Sequence, residues 1–149
     1  MELPLFEEVA DLVQTMVPTE LGQVRTSSHR RGVKLWFDTE KPGREHYEVQ
    51  LLSRRHVDGG EGAAVEIGFH SEHRDETRNT EVAAVLARSE TTWRNELGAT
   101  AELAPFLGAV NWRRLSECWI EPDLDDPELA FELAARLVDY VTVLEPLRR

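Results

Sequence analysis

The stretch Val33–His70, VKLWFDTEKPGREHYEVQLLSRRHVDGGEGAAVEIGFH, decides the fold. Val33, Leu35 and Phe37 alternate with Lys34, Trp36 and Asp38; Tyr47, Val49 and Leu51 alternate with His46, Glu48 and Gln50; Val65, Ile67 and Phe69 alternate with Glu66, Gly68 and His70. Successive strand side chains point to opposite faces, so each segment has one apolar and one mainly polar side. Between the first two lies Lys41-Pro42-Gly43-Arg44. There Pro presets φ for the first central turn position, and Gly tolerates the positive φ that a type II turn needs second. The next connection, residues 57–62, holds Asp58-Gly59, a pair favoured in hairpin loops. Three antiparallel strands follow, with a fourth before them over about residues 21–28, joined by the turn His29-Arg30-Arg31-Gly32.

Helices are expected on either side of this meander. Pro4 suits a first helical turn, Glu7 and Glu8 suit its positive end, and Phe6, Val9, Leu12, Val13, Met16 and Val17 form an apolar stripe stopped by Pro18. A second helix should run from Glu76 or Thr80 to Leu97, with Val82, Val85, Leu86, Trp93 and Leu97 inward and Gly98 at its C-cap. Residues 99–114 carry no single pattern: Leu103, Phe106 and Leu107 suit a short helix or a packed loop, Pro105 argues against a long regular element, and only burial of the aromatics is expected. Leu115 to Ile120 reads as a fifth strand. The last helix starts with Asp126 as N-cap and Pro127 at N1, continues through Leu129, Leu133, Leu137, Val138, Val141 and Leu144, and is stopped by Pro146. The order α-β-β-β-β-α-β-α describes a single α+β domain over residues 1–149. Its mainly antiparallel sheet of about five strands has helices packed on one face and the other face left available.

A chain of 149 residues can bury roughly 70% of the surface that its unfolded form exposes, so one core suffices. Cys118 is the only cysteine, which excludes an intrachain disulfide framework and a Cys-rich zinc site and fits a reducing cytoplasm. No stretch approaches the roughly 20 apolar residues of a membrane span, and Met-Glu-Leu-Pro lacks the basic and apolar regions of a signal peptide, so no membrane association is expected. A net charge of -11 disfavours nucleic acid as a partner.

If adjacent strands pair as a meander, Trp36, Asp38, His46, Glu48, Gln50, Glu66 and His70 share one outward face. Carboxylates on neighbouring strands can hold a divalent ion or act as acid and base, and Trp36 offers a flat apolar platform; the same pattern also describes an ordinary solvated sheet face. Residues 66–75 gather His70 and His73 with several acids where a strand leaves the sheet. Such nitrogen and oxygen donors suit zinc or manganese, although Ser71, Glu72 and Asp75 equally suit capping of the next helix. A nuclease pairing of Asp38 and Glu66 lacks its lysine, because position 68 is Gly. The Asp58–Gly62 loop lacks the Gly-Lys-Ser/Thr ending of a phosphate loop, no Gly-x-Ser-x-Gly elbow is present, and Cys118 reads as a buried inert thiol. The meander should also bring His29, Arg30 and Arg31 close to Arg54, Arg55 and His56 as a basic rim, able to receive an acidic peptide or a phosphate group or simply to be solvated.

The sequence therefore points first to a non-enzymatic cytoplasmic interaction module, of the kind of a small bacterial accessory or chaperone-like protein, with no cofactor. Its binding residues would be Trp36, His46 and Glu48 on the outward face and Arg30, Arg31, Arg54 and Arg55 on the rim, its partner another protein. Twofold self-association through the uncovered face or a sheet edge is a related expectation. The alternative is a metal-dependent hydrolase with Glu66, His70 and His73 as ligands and Asp38 or Glu48 as a further ligand or base.

Overall fold

The computed structural model describes residues 4–106 and 109–149, without the side chains of residues 109 and 110; Leu107 and the Met-Glu-Leu start lie outside it. The elements are α1 (Leu5–Met16), β1 (Val24–His29), β2 (Gly32–Phe37), β3 (Glu45–Ser53), β4 (Ala63–Ser71), α2 (Glu76–Arg88), α3 (Glu90–Leu97), β5 (Glu102–Phe106), β6 (Ala109–Ile120) and α4 (Leu129–Arg148). The strands form one antiparallel sheet in the order β1-β2-β3-β4-β6-β5, and helices pack on one of its faces, so the architecture is α+β.

The apolar side of the alternation builds the core. Val33, Leu35, Tyr47, Val49, Val65, Ile67, Phe69 and Leu115 turn toward Val9 and Val13 of α1, Val82 and Leu86 of α2, Trp93 and Leu97 of α3, and Leu133, Leu137, Val141 and Leu144 of α4. Fully burying each such aliphatic chain contributes about 1.5–3 kcal/mol, so this face anchors the sheet and fixes its register.

The structure corrects several local expectations. The sheet has six strands, because residues 102–106 form β5 and β6 begins at Ala109 rather than Leu115. Pro105 is tolerated since β5 lies at the sheet edge, where a missing N–H breaks no ladder on the open side; the pairing with β6 shifts register beside it. The single helix expected up to Leu97 is two, α2 capped by the Asp75 carboxylate, which accepts from Thr77 N–H at 3.0 Å, and α3 ending at Gly98 with φ of 88°. Pro146 lies inside the last turn of α4 instead of ending it. One backbone bond is lost there, and ion pairs of Arg148 with Glu145 and Glu45 hold the turn. The bend after β2 comes from Asp38, at φ of 66°, and not from a positive φ at Gly43; the Asp38 carboxylate accepts from Gln23 N–H at 2.8 Å.

Candidate metal centre

The polar side of the same alternation faces away from the helices, and the structure buries it. His46 is paired directly opposite His70, Gln50 opposite Glu66, and Glu48 opposite Gly68, whose other neighbour across the sheet is Ser116 of β6. The expectation of an outward, solvated face fails here: Glu66, His70 and Ser116 are 0% exposed, His46 2%, Glu48 6% and Trp36 7%. Two segments without periodic pattern cover it. Loop carbonyls after β2 receive the Trp36 indole N–H (Thr39 O, 2.8 Å) and His46 Nδ1 (Gly43 O, 3.0 Å), while the ring of Phe106 stands edge-on to His70 at 4.8 Å and against Trp112 at 5.5 Å.

Four donor atoms converge under this cover. His46 Nε2, Glu48 Oε1, His70 Nδ1 and Glu72 Oε2 all lie within 4.8 Å of one another. His46 Nε2 is 3.1 Å from Glu48 and 3.9 Å from Glu72, and His70 Nδ1 is 3.2 Å from each of the same two carboxylates. The far nitrogen of each imidazole is already committed. A carbonyl only accepts, so His46 Nδ1 carries hydrogen toward Gly43 O, and its Nε2 turns inward to meet Glu48 Oε1 at hydrogen-bond distance, 3.1 Å. His70 Nε2 lies 3.0 Å from Glu66 Oε1, and Glu66 also accepts from Gln50 Nε2 at 2.7 Å and Ser116 Oγ at 2.7 Å. An ionised carboxylate only accepts, so Nε2 carries the hydrogen and Nδ1 faces Glu48 and Glu72. That buried Nδ1 makes no hydrogen bond of good geometry, although a carboxylate oxygen of Glu48 and one of Glu72 each lie 3.2 Å away.

Burial and charge oppose each other on this face. Burial favours protonated carboxyls, but the His46 hydrogen bond and the adjacent His70 imidazole outweigh it at Glu48, which is lowered to about 2; at Glu66 burial is outweighed by the charge and hydrogen bond of His70, with Ser116 and Gln50 adding to it. Burial also disfavours a charged His70, yet Glu66, Glu48 and Glu72 together hold its proton well above the ordinary imidazole range. Beside them the buried Arg114, paired opposite His70, donates to Ser116 Oγ at 2.9 Å and reaches exposed Glu102 at 3.1 Å. Three carboxylates (Glu48, Glu66, Glu72) thus face the Arg114 guanidinium and the proton held on His70. The cysteine has no part in this: burial and then Glu66 push the Cys118 thiol up to about 11.

The structure distributes the sequence-derived residues unevenly. His46, Glu48 and His70 converge as donors, and Glu66 stands behind His70. His73 Nε2 is held by Glu45 at 2.7 Å, and Asp38 holds the chain at Gln23; neither is among the four donors. Trp36 is buried rather than offered as a platform. On the rim, Arg30, Arg31 and Arg55 are exposed, and the turn of residues 29–32 abuts the end of β3 through a Leu51 N–H to Arg31 O bond of 2.7 Å, whereas Arg54 is engaged by Asp58 at 2.8 Å and Glu121 at 3.3 Å. Glu72 was legible as a cap and is instead a donor. The signal for it is a repeated triplet, His46-Tyr47-Glu48 and His70-Ser71-Glu72, which at period two puts each His and its Glu on one face, Glu72 directly after the end of β4.

No protein-family model matches the chain, and no curated protein or solved structure matches it. No helix among the described residues is long and apolar enough to cross a membrane.

Proposed function

We propose that this protein binds one divalent transition-metal ion, of the zinc class, through His46, Glu48, His70 and Glu72. The observation that carries the reading is the His70 Nδ1 position: fully buried, without a hydrogen bond of good geometry, and set between two carboxylates and a second imidazole. Ligands about 2.0–2.1 Å from a tetrahedral ion lie about 3.3 Å apart; the four imidazole–carboxylate distances are 3.1, 3.2, 3.2 and 3.9 Å, and the remaining two donor pairs lie within 4.8 Å. Protons on the imidazoles satisfy the carboxylates one hydrogen bond at a time, as between His46 Nε2 and Glu48, whereas a dication serves all four donors at once. Two imidazoles disfavour calcium and magnesium, which take oxygen ligands, and suit zinc and its neighbours.

Four protein donors close a tetrahedral shell, so the ion's primary contribution in this reading is to hold β3, β4 and the entry to α2 together, as in an accessory or metal-responsive domain. Hydrolysis would require one carboxylate to yield its place to water. Titration calorimetry on chelator-treated protein tests the proposal. One equivalent of zinc should bind, magnesium should not compete, and His46→Ala and Glu48→Ala should each abolish tight binding. Zinc at 100-fold over Kd should stabilise the fold by about 2.7 kcal/mol, a rise in Tm of roughly 5–10 °C. Absent zinc binding, or binding unaffected by either substitution, refutes it.

A further inference from the structure

We infer that Glu66 is the positioning residue of this centre, fixing His70 as an Nδ1 ligand while His46 serves through Nε2; the inference rests on the metal reading above. Glu66 sits four residues before His70 on β4, with its carboxylate on the same face and 0% exposed, and it contributes none of the four converging donor atoms. Its Oε1 takes the His70 Nε2 hydrogen at 3.0 Å, and three protein groups prevent it from turning away. Gln50 Nε2 donates to Oε1 at 2.7 Å, Ser116 Oγ donates to Oε2 at 2.7 Å, and Arg114 Nη1 donates to that same hydroxyl at 2.9 Å, so the hydroxyl hydrogen is left for Glu66.

This arrangement selects one tautomer. With Nε2–H committed to a carboxylate, the remaining lone pair of His70 is at Nδ1, which the edge-on Phe106 ring and the facing acids leave directed at the other donors. A carboxylate behind an imidazole also makes it a stronger donor to a cation, so Glu66 adds affinity without touching the ion. His46 is positioned by a neutral carbonyl at Gly43, and the two imidazoles therefore differ both in the nitrogen they present and in the partner behind it.

Long-range proton–nitrogen correlation spectra of 15N-labelled, zinc-loaded protein test this. His70 should show hydrogen on Nε2 and the metal-shifted nitrogen at Nδ1, and His46 the reverse. Glu66→Gln, which keeps the volume and an accepting oxygen but removes the charge, should still bind one zinc with a Kd raised roughly 10–100-fold. Ser116→Ala, which leaves the carboxylate but frees one side of it, should raise Kd by a smaller factor and serves where Glu66→Gln does not fold. Spectra that place the metal on His70 Nε2, or a Glu66→Gln Kd equal to that of the wild type, overturn the positioning role while leaving the metal site standing. Failure of the wild type itself to bind zinc overturns the metal reading and this inference together.

Discussion

Gly68→Ala separates the fold's contribution to the centre from that of the ligands themselves. Gly68 lies between Glu48 of β3 and Ser116 of β6, and a Cβ built on it would stand 2.3 Å from Leu115 O and 2.6 Å from Ser116 Cα. Ordinary contact begins near 3.4 Å and both neighbours are backbone, so β6 must retreat from β4 by about 1 Å. A ladder bond of about 2.9 Å then passes beyond hydrogen-bonding range. Losing one closely spaced pair of such bonds at a buried position, each at about 1–3 kcal/mol and partly offset by relaxation, destabilises the protein by about 3 kcal/mol, or roughly 6–12 °C in Tm. Ser116 moves with β6, away from Glu66, so zinc affinity should fall as well. Urea unfolding in chelator, followed by zinc titration, measures both effects. Gly60→Ala is the milder comparison, because its Cβ meets the Arg54 guanidinium, at 2.8 Å, whose displacement loosens surface ion pairs with Asp58 and Glu121 but breaks no ladder bond. A Gly68→Ala protein within about 0.5 kcal/mol of the wild type, the range of ordinary surface changes, would refute the reasoning.

Leu137→Ala removes a fully buried side chain from the helical face and should cost about 2–5 kcal/mol in urea unfolding, with zinc affinity per folded molecule unchanged because the centre is on the opposite face. Glu117 tests the charged network under α4: burial raises its pKa, but Arg136, Trp119 and Tyr140 outweigh it and hold the carboxyl below its ordinary value. A depressed folded pKa means that the unfolded state binds more protons, so this contribution is complete above the ordinary carboxylate value of 4.5 and is lost as pH falls through the folded value. Arg136→Met should therefore be less stable than the wild type at pH 7, with the gap narrowing below pH 4.5; a gap constant between pH 7 and pH 3 would contradict it. Phe106→Ala removes the ring that stands against His70, and zinc release to a competing chelator should be faster than from the wild type.

The helical face was readable because its signal is redundant. Val33, Leu35, Tyr47, Val49, Ile67 and Phe69 repeat one period over three strands, and a slip of one residue would expose them all. β5 was not, since Pro105 argues against regular structure until the strand is known to lie at an edge, a property set by tertiary pairing. Ser89, where α2 gives way to α3, interrupts no apolar stripe and carries no breaker that a sequence would show. The polar face was legible as a set, through Trp36, His46, Glu48, Glu66 and His70, but its burial was not. The groups that cover it are carbonyls of Thr39 and Gly43 and the ring of Phe106, none of which belongs to a periodic pattern.

Period two also decides between two histidine readings of the segment after β4. His70 and Glu72 are two apart and share a face, whereas His73 is three from His70 and turns to Glu45, leaving the centre. The antiparallel register then does what neither strand does alone: it sets His46 opposite His70, so two His-x-Glu triplets meet with their imidazoles side by side and both glutamates within reach of each ring. Glu48 and Glu66, held in so dry a place, need positive charge beside them, which Arg114 and the His70 proton supply in the absence of an ion. The register brings the donors together and the covering segments exclude water, which is the geometry that the proposed metal ion would use.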